Sequence, residues 1–118
     1  MEAVKIRLKV RKDKDASDVV EEEFIVDTGV PCALAPMRLL RKLGIKAMGQ
    51  EHIFVGLETL ARPTGEAYFE LGDRGGYAKV MFGERGDVNL VAVDTLKALG
   101  LWLHPFTRQL EPLPATAA

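Results

Sequence analysis

From Val4 to Val10 apolar and charged residues alternate without a break, with Val4, Ile6, Leu8 and Val10 on one face and Lys5, Arg7 and Lys9 on the other. A period of two puts successive side chains on opposite faces, so this segment predicts a half-buried antiparallel strand. The charged, turn-prone stretch Arg11 to Ser17 predicts a hairpin connection. Val19 to Val26 predicts the returning strand, and its run Glu21-Glu22-Glu23 can sit across from the basic first strand. Cross-strand pairs of that kind add only about 0.2–1 kcal/mol each, so they set register more than stability.

The pattern then changes. Val30-Pro31-Cys32-Ala33-Leu34-Ala35 is wholly apolar and reads as a short strand. Pro36 suits the first turn of a helix, and Met37 to Leu43 has helical spacing that stops at Gly44, a good C-terminal cap. The stripe Leu39, Leu40 and Leu43 belongs to the core. Ile45 to Glu51 is a connector, and His52 to Leu57 a strand leading into Gly56 to Gly65, a ten-residue stretch with a glycine at each end that predicts a long hairpin. Glu66 to Leu71 alternates, Gly72-Asp73-Arg74-Gly75-Gly76 is a tight turn, and Tyr77 to Phe82 is the partner strand. Asn89 to Val93 predicts a short apolar strand. Asp94 to Gly100 predicts a short helix with Asp94 as N-cap and Gly100 just past its end. Leu101 to Leu110 reads as a last strand broken by Pro105, and the tail, 112–118, as flexible.

Composition narrows the class. At 118 residues, 47% apolar and 28% charged, the chain predicts one globular domain spanning 1–118. With 16 Lys plus Arg against 17 Asp plus Glu there is no electrostatic case for nucleic acid. No apolar run approaches the roughly 20 residues of a membrane helix, and the first residues hold no apolar signal-peptide core. The expected setting is therefore cytoplasmic, with no membrane partner. The single Cys32 excludes an internal disulfide and, alone, a cysteine-rich metal site. Nothing local places a base beside Cys32, so a thiol nucleophile working with His52 or His104 is unsupported. The two histidines have no zinc-like spacing, and neither a metal nor another cofactor is expected. The glycines of Gly72 to Gly76 do not precede a helix as a phosphate loop requires.

Candidate chemistry sits in Phe24-Ile25-Val26-Asp27-Thr28-Gly29. Three apolar residues carry the backbone inward, and an acid, a hydroxyl and a glycine follow. An acid directly after a buried strand must be hydrogen-bonded or paired, because an isolated buried carboxylate is too costly. The second half echoes the first. Phe24-Ile-Val-Asp-Thr precedes a helix ending Leu40-Arg-Lys-Leu-Gly-Ile45, and Leu90-Val-Ala-Val-Asp-Thr precedes one ending Leu96-Lys-Ala-Leu-Gly-Leu101. The copies differ where chemistry would be placed. Gly29 permits a backbone path that frees amide N–H groups to hold a carboxylate, whereas Leu96 continues into a helix.

Strand, Asp-Thr-Gly, helix and echo, in this order from Val4 to about Leu110, resemble the retropepsin-like aspartic proteases of clan AA, especially their small bacterial and archaeal members. Val30 stands where that family usually has Ala or Ser, and Ala92 where it usually has glycine. The resemblance implies a mainly β fold, a closed acid-protease barrel with one or two short helices, working as a homodimer. It implies an aspartic endopeptidase in which Asp27 is catalytic, with Thr28 and Gly29 supporting its loop. Gly56, Leu57, Glu58, Thr59 and Leu60 would form a flap over an extended peptide or unfolded protein substrate. With one Asp-Thr-Gly per chain, the second carboxyl must come from Asp27 of another copy. Two other readings remain open at this point: the same fold as an inactive dimerisation or peptide-binding module, and an unrelated small β-barrel interaction domain.

Overall fold

The opening alternation does become a strand, and the strand that follows pairs with it. The computed structural model describes residues 3–114, which are mainly β: β1 (Lys5–Arg11), β2 (Val20–Val26), β3 (Ala33–Pro36), α1 (Met37–Lys42), β4 (Gly49–Val55), β5 (Glu58–Leu71), β6 (Arg74–Gly83), β7 (Leu90–Val91), α2 (Val93–Ala98), β8 (Leu101–Leu103) and β9 (Leu110–Pro112). β1 and β2 are antiparallel, in register from Lys5 opposite Ile25 to Val10 opposite Val20. The inward positions Leu8, Val10, Phe24 and Val26 are buried, as the alternation requires. Arg7 reaches diagonally to Glu21 at 3.1 Å, with both side chains about half exposed, so the pair contributes little beyond register.

Seven strands form one sheet in the order β1-β2-β7-β3-β6-β5-β4, and β1 pairs a second time, with β5. Val10 faces Phe69 in that second pairing, and the Arg11 guanidinium bonds the Glu70 carboxylate across it. β1 therefore has a partner on each edge. β2 runs parallel to β7, and β3 parallel to β6. Phe24 and Phe69 meet edge to face inside, ring centroids 6.3 Å apart. α1 adds Leu40 and Leu43 to this core and α2 adds Leu96 and Leu99. Full burial of a leucine contributes about 1.5–3 kcal/mol, and such packing, not length, holds two six-residue helices in place. No helix among the described residues is long and apolar enough to cross a membrane.

The echo between the halves is structural. Leu43 and Leu99 end the helices, and Gly44 and Gly100 follow at φ 81° and 72°. After α1 the Gly44 N–H donates to Arg41 O and the Ile45 N–H to Leu40 O, the paired bonds of a Schellman ending, with Ile45 buried as its apolar partner.

Four expectations are corrected. The long hairpin is not Gly56 to Gly65: β4 and β5 turn through Gly56 and Leu57 alone, with Val55 opposite Glu58, and β5 runs unbroken to Leu71. Gly65 lies within that strand because a Cβ there would stand 2.6 Å from Lys46 O. Asp94 is not the N-cap of α2: Ala92 holds that position, where it has no side chain to cap the first turn, and its own N–H donates to the Thr95 hydroxyl. The segment Leu101 to Leu110 is a hairpin of two short strands, not one interrupted strand. Of the tail, Pro112 belongs to β9 and the Leu113 N–H donates to Gly100 O; 115–118 lie outside the described residues.

Candidate active site

β2 delivers Asp27 to the end of the sheet, beside β7. Ile25 and Val26 lie in register with Leu90 and Val91, and the Asp27 N–H donates to Val91 O at 2.9 Å. The pairing is displaced two residues from the sequence echo, which would set Asp27 against Asp94. Asp27 stands instead at the level of Val91 and Ala92, while Asp94 is exposed in the first turn of α2, where the Thr95 hydroxyl donates to it at 3.4 Å. Asp94 and Asp27 are not brought together.

The acid is half-buried and its orientation is set locally. The Gly29 N–H donates to Asp27 Oδ1 at 2.9 Å, a turn of the chain back upon its own carboxylate. A Cβ at position 29 would stand 3.3 Å from that oxygen, a tight contact that glycine avoids. One carboxylate oxygen is thus anchored. The Thr28 side chain is exposed and has no hydrogen-bond partner among the described residues.

Opposite this loop lies the β4–β5 hairpin. A cavity of about 360 Å³ is bounded by Thr28, Gly29 and Val30 on one side and by His52, Ile53 and Phe54 of β4 on the other. The loop singled out in the sequence therefore faces β4 across one cleft, and none of Gly56 to Leu60 is among the residues that line it. The flap residues are divided: Gly56 and Leu57 form the exposed tip, Glu58 and Thr59 start β5 exposed, and Leu60 is half-buried opposite Ile53. His52, for which the sequence supports neither a nucleophile pairing nor a zinc site, lines the cleft. Its alternation with Ile53 and Phe54 along β4 was the available signal, but only the pairing shows which face meets the loop.

Cys32 follows the loop but is fully buried with Leu34 and Met81. Burial first, and then the negative charge of Asp94, push its thiol up to about 12, so it stays protonated and unreactive at neutral pH. Among the described residues no three His, Cys, Asp or Glu side chains cluster as metal ligands would.

A second polar constellation was not legible in the sequence. Arg62, only 6% exposed on β5, is held by Asp87 at 3.0 Å and by Glu84 at 3.4 Å, both from the turn between β6 and β7. Burial of Asp87 opposes its ionisation. The Arg62 hydrogen bond, the Glu84 N–H and the Arg62 charge outweigh that, and hold the carboxyl below its ordinary value.

No family model matches this chain, and no curated protein matches it in sequence. Among solved structures it is similar to a foamy viral protease–reverse transcriptase in complex with an RNA/DNA hybrid, with a TM-score of 0.55 and 19% identity. That match covers 95% of this chain but 13% of the viral one. At this identity the likeness is one of fold, and it spans nearly the whole of the present chain.

Proposed function

We infer that the chain is one subunit of a homodimeric aspartic peptidase, in which Asp27 meets Asp27 of a second copy on a two-fold axis. One observation carries the reading: an Asp-Thr-Gly loop whose acid is oriented by the Gly29 amide faces a β-hairpin across a cleft. It is supported by the fold's likeness to a foamy viral protease–reverse transcriptase. The second pairing of β1, which gives that strand a neighbour on each edge, supports the closed acid-protease barrel. The Thr28 hydroxyl, without a hydrogen-bond partner among the described residues, is suited to bond the partner's loop.

In that assembly two carboxyls about 3 Å apart share one proton. The ionised acid accepts a proton from the water between them as that water attacks the peptide carbonyl, and the protonated acid donates toward the carbonyl oxygen. An extended peptide would lie beneath the β4–β5 hairpin as an added strand, covered by Gly56 and Leu57. The substrate class is an extended peptide or an unfolded protein. A second reading, the same dimer binding peptides without cleaving them, is favoured by Val30, whose side chain stands in the cleft where a smaller residue would leave more room.

Incubation with an unfolded protein at mildly acidic pH tests the first reading. The expected result is cleavage that Asp27→Asn abolishes while sedimentation still reports a dimer. Peptide binding without cleavage decides for the second. A monomer, or a dimer whose two Asp27 residues lie apart, removes both.

A further inference from the structure

A groove between α1 and the β6–β7 turn shares no lining residue with the cleft at Thr28 and Phe54. Its larger part, about 720 Å³, is bounded by Met37, Arg38 and Arg41 on one side and by Glu84, Arg85 and Asp87 on the other. A second cavity of about 400 Å³ shares Met37 and Arg41 with it and continues over Ile45, Lys46, Pro63 and Phe82. The shared residues make the two cavities parts of one groove. Each is of the size that small-molecule sites occupy.

The charges in it are unevenly matched. Both acids, Glu84 and Asp87, are already engaged by the buried Arg62. Arg38, Arg41, Arg85 and Lys46 have no ion-pair partner among the described residues. Arg38 and Arg41 are three residues apart on α1, where like charges repel and mildly destabilise a helix. The whole chain carries a formal net charge of −1, so this excess of cations is local. Guanidinium groups present planar, paired donors that match phosphate oxygens, and several around one concavity hold a multiply charged group better than any single pair. The remaining wall is apolar, with half-buried Met37 and Pro63 at its surface and the buried Ile45 and Phe82 behind them, and can take an uncharged body.

We propose that this groove binds an organic phosphate, with the phosphate groups on Arg38, Arg41 and Arg85 and an apolar or aromatic body against Met37 and Pro63. The site is independent of the Asp27 chemistry.

Calorimetric titration of the full chain with metal-free ATP, inorganic pyrophosphate and adenosine tests it. ATP should bind once per subunit, pyrophosphate should bind more weakly and compete with it, and adenosine alone should not bind. Arg38→Ala with Arg41→Ala should weaken ATP by about tenfold or more, since each removes charge-assisted bonds, with an unchanged circular dichroism spectrum. Lys5→Ala with Lys9→Ala removes the same charge from the exposed face of β1 and should leave the affinity unaltered. Asp27→Asn should bind ATP as the native chain does, whether or not the native chain is a peptidase. Absence of ATP binding overturns the proposal. So does an equal loss in the β1 variant, which would mean unspecific attraction, or a bound acidic polypeptide that ATP fails to displace.

Discussion

At Gly29 the side chain that is missing matters more than any that is present. Its N–H fixes Asp27 Oδ1, and a methyl group at 3.3 Å from that oxygen would press on the carboxylate without striking backbone. Gly76 is the contrasting case, because a Cβ there would fall 2.1 Å from Ala98 O, backbone that cannot yield without lifting α2 from β6. Gly76→Ala should therefore cost about 2–3 kcal/mol in urea unfolding, and Gly29→Ala less than about 1 kcal/mol while still lowering any peptidase activity. Cys32 supplies a separate check at this scale. Its buried, protonated thiol should not react with a disulfide reagent at pH 8 in the folded protein, and should react with one equivalent in denaturant. Rapid labelling of the native chain would mean that the apolar pocket of Leu34 and Met81 opens far more readily than its packing indicates.

Among the elements, what the sequence disclosed depended on whether the cause was local. The alternation of Val4 to Val10 and the Leu-Gly endings of α1 and α2 are decided within a few residues, and the strands and helices lie where those signals put them. Gly65 misled because a glycine required for close approach to Lys46 O looks, in sequence, like one required for a turn. The parallel pairing of β2 with β7, and the two-residue displacement that parts Asp27 from Asp94, depend on contacts more than sixty residues apart. The Arg62–Asp87 clip, between residues 25 apart in sequence, is likewise non-local and fastens the β6–β7 turn to β5. Asp87→Ala should cost about 2–3 kcal/mol, because it leaves a buried guanidinium with only the Ala61 carbonyl at 3.2 Å and the 3.4 Å contact to the mostly exposed Glu84. Glu84→Ala, which removes a mostly exposed partner, should change stability by less than about 0.5 kcal/mol. The pH dependence has a fixed sign. Asp87 is held below its ordinary value of 3.8, so the folded state binds fewer protons there than the unfolded one. The stability it contributes is present above that value and is lost as pH falls through the lower folded one. Asp87→Asn should flatten the acid limb of a stability–pH curve below about pH 4, and an unchanged limb would show that other carboxyls govern it.

For the molecule as a whole, the legible motif and the unseen pairing combine into a statement about assembly. Asp27 follows β2 at the level of Ala92, not beside another acid, and adjoins the cleft through Thr28 and Gly29, so a single chain brings one such carboxyl to this end of the sheet. If peptide hydrolysis is its chemistry, activity must follow the concentration of dimer: specific activity should fall on dilution, and the thermal midpoint should rise with protein concentration because subunit association stabilises the folded state. The hairpin tip supplies the complementary test, since Leu57 is exposed in the isolated chain and supports none of its core. Leu57→Asp should shift stability by no more than about 0.5 kcal/mol. Through loss of an apolar cover over the bound peptide it should lower kcat/KM by about tenfold or more. Full activity in that variant would separate the β4–β5 hairpin from substrate closure. Activity that does not change with dilution, at concentrations where sedimentation reports only monomer, would require a second catalytic group within one chain, and the position of Asp94 on α2 gives none.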